Sequence, residues 1–313
     1  AYMRYNLKSS NWRVAICRMP TNNGPPLNRV DGLGRSGTYP SLSYNNIMDG
    51  IAGIYSLNKY LPKDHNLKFR LFYTPFIRVD KDDRGKQVID DSTAGNSGKS
   101  GNSGEKVDSH GAFYTLLSEY SVKNLSWAKR LDIFYSTYHV DKFYTESKQK
   151  QEGSAPSPVQ DVFYNDGIEY FKAVSNTIYV GMDHLYDTGL SLSLSYSHYK
   201  INYAKEEYNS DNILITSDYK FDNSYNSGDV LGFEYLKTDK NRVPTEETTL
   251  YSNNFYNMIN GEGAHFYYTN VISANQLIRF GHFSYQTKGS SELFLIDVKT
   301  QDEASYVRWK VFF

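Results

Sequence analysis

The side chains best suited to proton transfer or metal binding at neutral pH are the seven histidines, at positions 65, 110, 139, 184, 198, 265 and 282. None stands in an HxxxH or HxH pair. A Ser/His or Asp/His catalytic set would have to be gathered from distant segments, so no enzyme activity is expected. The segment TAGNSGKS (93–100) ends in the Gly-Lys-Ser of a phosphate-binding loop, but Thr93 stands where the first glycine is required. Its surroundings, GNSGKSGNSGEK, have the composition of a flexible loop tip. The segment DKDDRGKQVIDD (80–91) has Asp80, Asp82, Gly85 and Asp91 at a spacing like that of an EF-hand calcium loop. Arg84 occupies a ligand position and no helices flank it. Asp80, Asp82 and Asp91 therefore read as a solvated acidic loop, with a surface divalent cation as the weaker alternative. The single cysteine, Cys17, excludes an intrachain disulfide and any CxxC-type zinc, redox or haem motif. No metal and no cofactor are expected.

The elements that would position any site are strands. LSLSLSYSHY (190–199) alternates strictly: Leu190, Leu192, Leu194 and Tyr196 on one face, four serines on the other. Thirteen segments share this period of two, near 1–7, 12–18, 48–58, 66–76, 112–122, 130–140, 176–186, 190–200, 229–237, 248–256, 264–272, 276–286 and 305–313. Most have the roughly 9–11 residues that cross a bilayer when tilted. Short links at 8–11, 59–65, 123–129, 187–189 and 273–275 alternate with long polar ones at 19–47, 77–111, 141–175, 201–228 and 287–304. Only 238–247 and 257–263 blur that contrast. Long loops at one end and short turns at the other are the layout of an outer-membrane barrel.

Composition agrees. Aromatics make up 16% of the chain and tyrosines (29) outnumber glycines (22), as an interfacial girdle would require. Mean hydropathy is -0.61, which excludes a helical membrane protein but not a barrel with a polar lumen. A net charge of -1 argues against nucleic acid as a partner. Charge is also kept off one face of several strands, and no helical pattern exists to cover those faces. Val307, Trp309, Val311 and Phe313 are in phase to the last residue, like the C-terminal signal read by the bacterial barrel-assembly machinery.

The expected fold is all-β: a single transmembrane antiparallel barrel over 1–313, of about 14–18 strands. Bacterial single-chain barrels have even strand numbers, and AYMRYNL already alternates, so one or more N-terminal strands are expected to precede Ala1. On the assigned phase Arg4, Arg13, Lys68, Arg70, Arg308 and Lys310 point into the lumen as a basic wall. Glu119, Asp132, Asp183 and Glu234 form an acidic wall opposite, and the two would set a transverse field across a water-filled pore. The other reading of these charges is a set of salt bridges in a plugged lumen. The loop RMPTNNGPPLNRVDGLGRSGTYP (18–40) is rich in Pro and Gly and should hold a defined shape. It is expected either to fold into the lumen, where Arg18, Arg29 and Arg35 would matter, or to stay an ordered surface loop. The serine-lined strand should be the widest, least charged part of the wall.

The run 18–57, with its Arg-x-Pro…Gly-Pro-Pro segment followed by Tyr-Pro and Asp-Gly-Ile, resembles an uncharacterised family of porin-like outer-membrane proteins from epsilon-class proteobacteria such as Campylobacter relatives. The resemblance implies an outer-membrane location and a longer chain with an N-terminal segment, and no particular substrate. The expected function is passive diffusion of small hydrophilic solutes or ions. The expected partners are outer-membrane lipid, lipopolysaccharide and the assembly machinery. Analogy with porins adds a homotrimer, although no stripe marks a subunit interface. The alternatives are a surface-structural or adhesive barrel with partner-binding loops, and a sleeve around an electron-transfer partner.

Overall fold

A computed structural model describes residues 2–7, 11–19, 24–26, 39–43, 48–77, 80–81, 87–88, 110–145, 169–203, 206–221, 228–241, 260–273, 275–288 and 301–311. The strands are β1 (Tyr2–Asn6), β2 (Trp12–Met19), β3 (Met48–Ser56), β4 (His65–Ile77), β5 (Asp80–Lys81), β6 (Gln87–Val88), β7 (His110–Lys123) and β8 (Ala128–Thr145). They continue with β9 (Glu169–Leu185), β10 (Leu190–Tyr203), β11 (Glu206–Lys220), β12 (Val230–Thr238), β13 (Gly261–Ser273), β14 (Gln276–Thr287) and β15 (Gln301–Val311). β5 and β6 pair with each other; the other thirteen form one antiparallel sheet in chain order, with β4 beside β7. A 3-10 turn at Asn58–Tyr60 is the one helical element described. The expected all-β antiparallel architecture is therefore what the chain adopts.

Which face is buried is inverted relative to a soluble sheet. Ser191, Ser193, Ser195 and Ser197 are nearly inaccessible, while Leu194 and Tyr196 between them are 47% and 40% exposed. The same inversion holds on β11, where Ser210, Asn212 and Thr216 are buried and Ile215 is exposed. Ile51, Leu71, Ile133, Ile178, Leu231, Phe266 and Phe280 also point outward. Cross-strand aromatic pairs such as Tyr73–Tyr114 and Phe233–Phe266 cover the outer face.

Two inner glycines let the wall bend. Gly232 faces Tyr267 and Gly281 faces Tyr306 in the ladder. A Cβ would come within 2.1 Å of the Tyr267 ring or 2.4 Å of the Tyr306 ring. The absent side chain lets each tyrosine lie flat along the wall, the glycine device by which curved sheets are built. The tight link after β9 places Tyr186 and Asp187 at φ 49° and 58°, with Thr188 N–H donating to Leu185 C=O. Two consecutive left-handed residues match the right-handed twist of a hairpin.

One expectation needs correction, and another falls outside the described residues. Segment 201–228 is not a long loop: most of it is β11, joined to β10 through 204–205. The polar run EEYNSDN reads as a loop because its inner face carries hydroxyl and amide groups instead of apolar ones. Segment 248–256 lies outside the described residues, and β12 pairs directly with β13. With β11 included, the links at 7–11, 57–64, 124–127, 186–189, 221–229 and 274–275 share one end of the wall. The links at 20–47, 78–109, 146–168, 239–260 and 288–300 share the other, with 204–205 the short exception. β1 and β15 end the strand order and run in the same direction; no pairing between them occurs among the described residues.

Candidate functional site

Residues 39–43 lie inside the curl of the sheet. Tyr39, Leu42 and Ser43 are 3%, 2% and 1% exposed. Ser43 Oγ sits 2.7 Å from Ser136 Oγ on β8, and the Leu42 carbonyl accepts from Tyr199 Oη and, at 3.4 Å, from Ser197 Oγ on β10. Leu42 belongs to a packed cluster with Leu214, Leu236, Phe283 and Tyr285 of β11, β12 and β14. Tyr39 belongs to another, with Ala15, Ala52, Phe72 and Phe113 of β2, β3, β4 and β7. One short segment thus joins the inner faces of both halves of the strand order. Burial pushes the Tyr39 phenol up to about 12, within electrostatic reach of Arg70 and Glu119.

The Pro- and Gly-rich sequence explains why this segment holds its shape. Ser41 N–H donates to Pro25 C=O at 2.9 Å, and Gly24 approaches so closely that a Cβ would lie 1.6 Å from the Tyr39 carbonyl oxygen. The serine belt explains where it docks. Ser193 bonds Thr216 at 2.6 Å and Thr177 bonds Ser197, and these small side chains leave room for 39–43. The expected widest part of the wall is the part the segment occupies. Of the three arginines assigned to this loop, Arg18 lies within β2, opposite Asp49, because the strand runs on to Met19. Arg29 and Arg35 lie outside the described residues.

Two of the charged positions assigned to different walls pair with each other across neighbouring strands. Arg70 donates to Glu119 at 3.1 Å on the neighbouring strand, so a basic-wall residue pairs with an acidic-wall residue. Asp132 accepts from Arg130 at 2.8 Å and from Ser121. Asp183 faces Arg130 in the ladder. Arg4, Arg13, Lys68 and Arg70 stand at one end of the strand order and Arg308 and Lys310 at the other. The closure expected to unite them is not made among the described residues. Arg13, Lys68, Asp132, Asp183, Arg308 and Lys310 stand near the short-link ends of their strands, whereas Arg4 and Glu234 stand at mid-strand. The metal candidates give nothing further, with Asp80 in β5 and Asp82 and Asp91 outside the described residues.

Glu234 is the centre of a buried network. Glu234 and His265 are 0% and 1% exposed; His265 Nδ1 is 2.7 Å from Glu234 Oε2 and its Nε2 is 2.9 Å from Tyr306 Oη. Tyr306 also hydrogen-bonds Arg279, whose Nε donates to Thr269 Oγ1 at 3.1 Å. Arg279, directly opposite Arg308, escapes a reading by charge segregation because QLIRFGHF puts it between apolar neighbours on a short, irregular alternation. His265 is an inner residue, whereas His139 and His198 are on the outer phase. Tyr196 Oη and His198 Nδ1 both bond Asp211, and Tyr235 bonds Glu262, near the long-link ends of the outer face. Val307, Trp309 and Val311 are exposed on the outer face of β15; Phe313 lies outside the described residues.

No protein-family model matches the chain, and no curated protein matches it. Among solved structures the chain is similar to an anion-selective porin from Comamonas acidovorans, at 8% identity and a TM-score of 0.48, over 96% of this chain and 73% of that one. It is also similar to OprB from Pseudomonas putida, at 11% identity and a TM-score of 0.47, over 99% of this chain and 72% of that one.

Proposed function

We propose that the chain is an outer-membrane porin that passes small hydrophilic solutes through an interior narrowed by residues 39–43. The observation that carries the proposal is the inversion of the wall, with hydroxyls and charges inside and leucine, isoleucine and aromatic side chains outside. Water would leave that outer face without cover; lipid covers it. A Lys or Arg facing lipid at mid-membrane costs about 2–4 kcal/mol. The outward ion pairs Lys200–Glu207 and Lys172–Asp141 accordingly stand toward the long-link ends. The long links then face the cell exterior, where lipopolysaccharide meets the ionised rim. The same proposal includes recognition of Val307, Trp309 and Val311 by the assembly machinery, and a homotrimer. No bond is made or broken; selection is by the width of the path and the charges along it.

A second reading is a closed, surface-structural barrel. It is favoured by the almost complete burial of Ser175, Thr177, Ser195, Ser197, Ser210 and Asn212 on the inner face. Single-channel recording in planar bilayers separates the two. Stepwise conductance from the folded protein supports the porin; silence from protein that keeps its β circular dichroism supports the closed barrel.

A further inference from the structure

We propose that Lys237 and Lys288 form an outer-rim site for the phosphorylated sugar headgroup of a glycolipid, the chemistry that lipopolysaccharide presents. The site deepens the porin reading, because it rests on the outward face being covered by lipid with the long links outside.

Lys237 stands on the outward phase of β12, with a carboxylate on each neighbouring strand. Glu262 of β13 is its direct partner in the ladder, and Asp211 of β11 lies on the diagonal, two residues from its partner Ile213. Opposite charges so placed ordinarily attract each other across a sheet. Here both acids are turned elsewhere. Glu262 Oε2 accepts from Tyr235 Oη at 3.0 Å. Asp211 Oδ1 accepts from Tyr196 Oη at 2.5 Å and lies 2.9 Å from His198 Nδ1. Neither Lys237 nor Lys288 makes an ion pair among the described residues. By holding the acids, the tyrosines keep the Lys237 ammonium available.

The space between these groups is a pocket of about 280 Å³, with Asp211, Lys237, Glu262 and Lys288 in its lining. Lys237 is the last residue but one of β12 and Lys288 follows β14, so both exposed lysines stand at the long-link rim. Each ammonium offers a phosphate oxygen a charge-assisted hydrogen bond. The carboxylate oxygens of Asp211 and Glu262 accept from hydroxyl and amide N–H groups of the sugar. Tyr196 and Tyr235 supply the rings and hydroxyls that suit headgroup level. Toward mid-membrane the same face continues through Ile215, Leu231 and Phe266, all exposed, an apolar track for the acyl chains of the same molecule. A soluble anion would use the lysines alone, and a phospholipid without a sugar would leave the carboxylates unmatched. A phosphorylated glycolipid uses lysines, carboxylates and track together.

The test is titration of the detergent-folded full chain with diphosphoryl lipid A, read by native mass spectrometry. It compares the wild type, the double variant Lys237→Gln/Lys288→Gln and the charge-conserving Lys237→Arg/Lys288→Arg. The expected result is saturable binding, weakened about tenfold or more in the first variant and kept in the second, as loss of charge-assisted contacts requires. Tyr235→Phe keeps both lysines but releases Glu262 to pair with Lys237, and should weaken binding as well. No lipid A binding, or equal binding in the wild type and the Gln variant, overturns the site. Equal uptake of phosphatidylethanolamine, or displacement of lipid A by millimolar inorganic phosphate, overturns its assignment to a glycolipid. Conductance of the same protein in planar bilayers is read in parallel. A silent bilayer with selective lipid A binding would overturn the porin and leave the site standing. A conducting pore without lipid A binding would overturn the site alone.

Discussion

Three side-chain hydroxyls hold the inward segment against the wall, and removing them together should open the interior. The perturbation is Ser136→Ala, Ser197→Ala and Tyr199→Phe. These changes delete the bond to Ser43 Oγ and both bonds to the Leu42 carbonyl while keeping the volume of each side chain nearly constant. At about 1 kcal/mol net per hydrogen bond the anchoring lost is about 3 kcal/mol. Since each 1.4 kcal/mol is a factor of ten, the docked-to-undocked ratio should fall roughly a hundredfold. The Leu42 side chain keeps its contacts with Leu236 and Phe283, so the segment loosens without the wall losing its core. The assay is liposome swelling with sugars of increasing size, run beside single-channel recording. Larger sugars should enter faster in the triple variant, and conductance should rise. Identical size cut-off and conductance, in protein with unchanged circular dichroism, would refute the idea that residues 39–43 narrow the path.

Three further outcomes are expected. Leu194→Arg, at an outward mid-strand position, should cost about 2–4 kcal/mol in urea unfolding from phospholipid vesicles, against far less for the same change at exposed Tyr186 in a link. His265→Ala removes the partner of buried Glu234 and of the Tyr306 hydroxyl, and should destabilise the wall by about 3 kcal/mol, with His265→Gln recovering part of it. Asp229, in the link before β12, accepts from Tyr268, Asn270 and Val271 N–H. Burial alone would raise its carboxyl, but these three bonds outweigh it and hold the pKa below the usual carboxylate value. A depressed folded value means stability present above the unfolded pKa of about 3.9 and lost as pH falls through the folded one. Unfolding midpoints of the wild type should therefore drop more steeply below pH 4 than those of Asp229→Asn.

The strands were legible because their chemistry has a period of two, whichever medium touches each face. LSLSLSYSHY announced β10, and YVRWKV announced β15. β11 was hidden because EEYNSDN lacks an apolar face at its start, and only pairing with Lys200, Ile201 and Tyr203 makes it a strand. The face of Arg70 followed from alternation, but its pairing with Glu119 depends on register between strands 49 residues apart, which no local pattern encodes. The inward placement of residues 39–43, where the Pro- and Gly-rich loop ends, agrees with one of two readings of its composition. What decides it is the serine belt on β9, β10 and β11, whose small side chains make the space. Arg279 and His265 lie among apolar and aromatic neighbours in the sequence, so the network around Tyr306 needed three-dimensional neighbours to emerge.

The central claim is that the leucine face of the wall touches lipid and the opposite face does not. It is tested most directly by quenching with brominated phospholipids, in protein whose three tryptophans are replaced by phenylalanine. One tryptophan is then placed at outward Leu194 or at inward Phe134, which is 1% exposed. Fluorescence from Leu194→Trp should be strongly quenched by mid-chain bromines and that from Phe134→Trp should not. Equal quenching at both positions, or the reverse order, would contradict the assignment of the two faces.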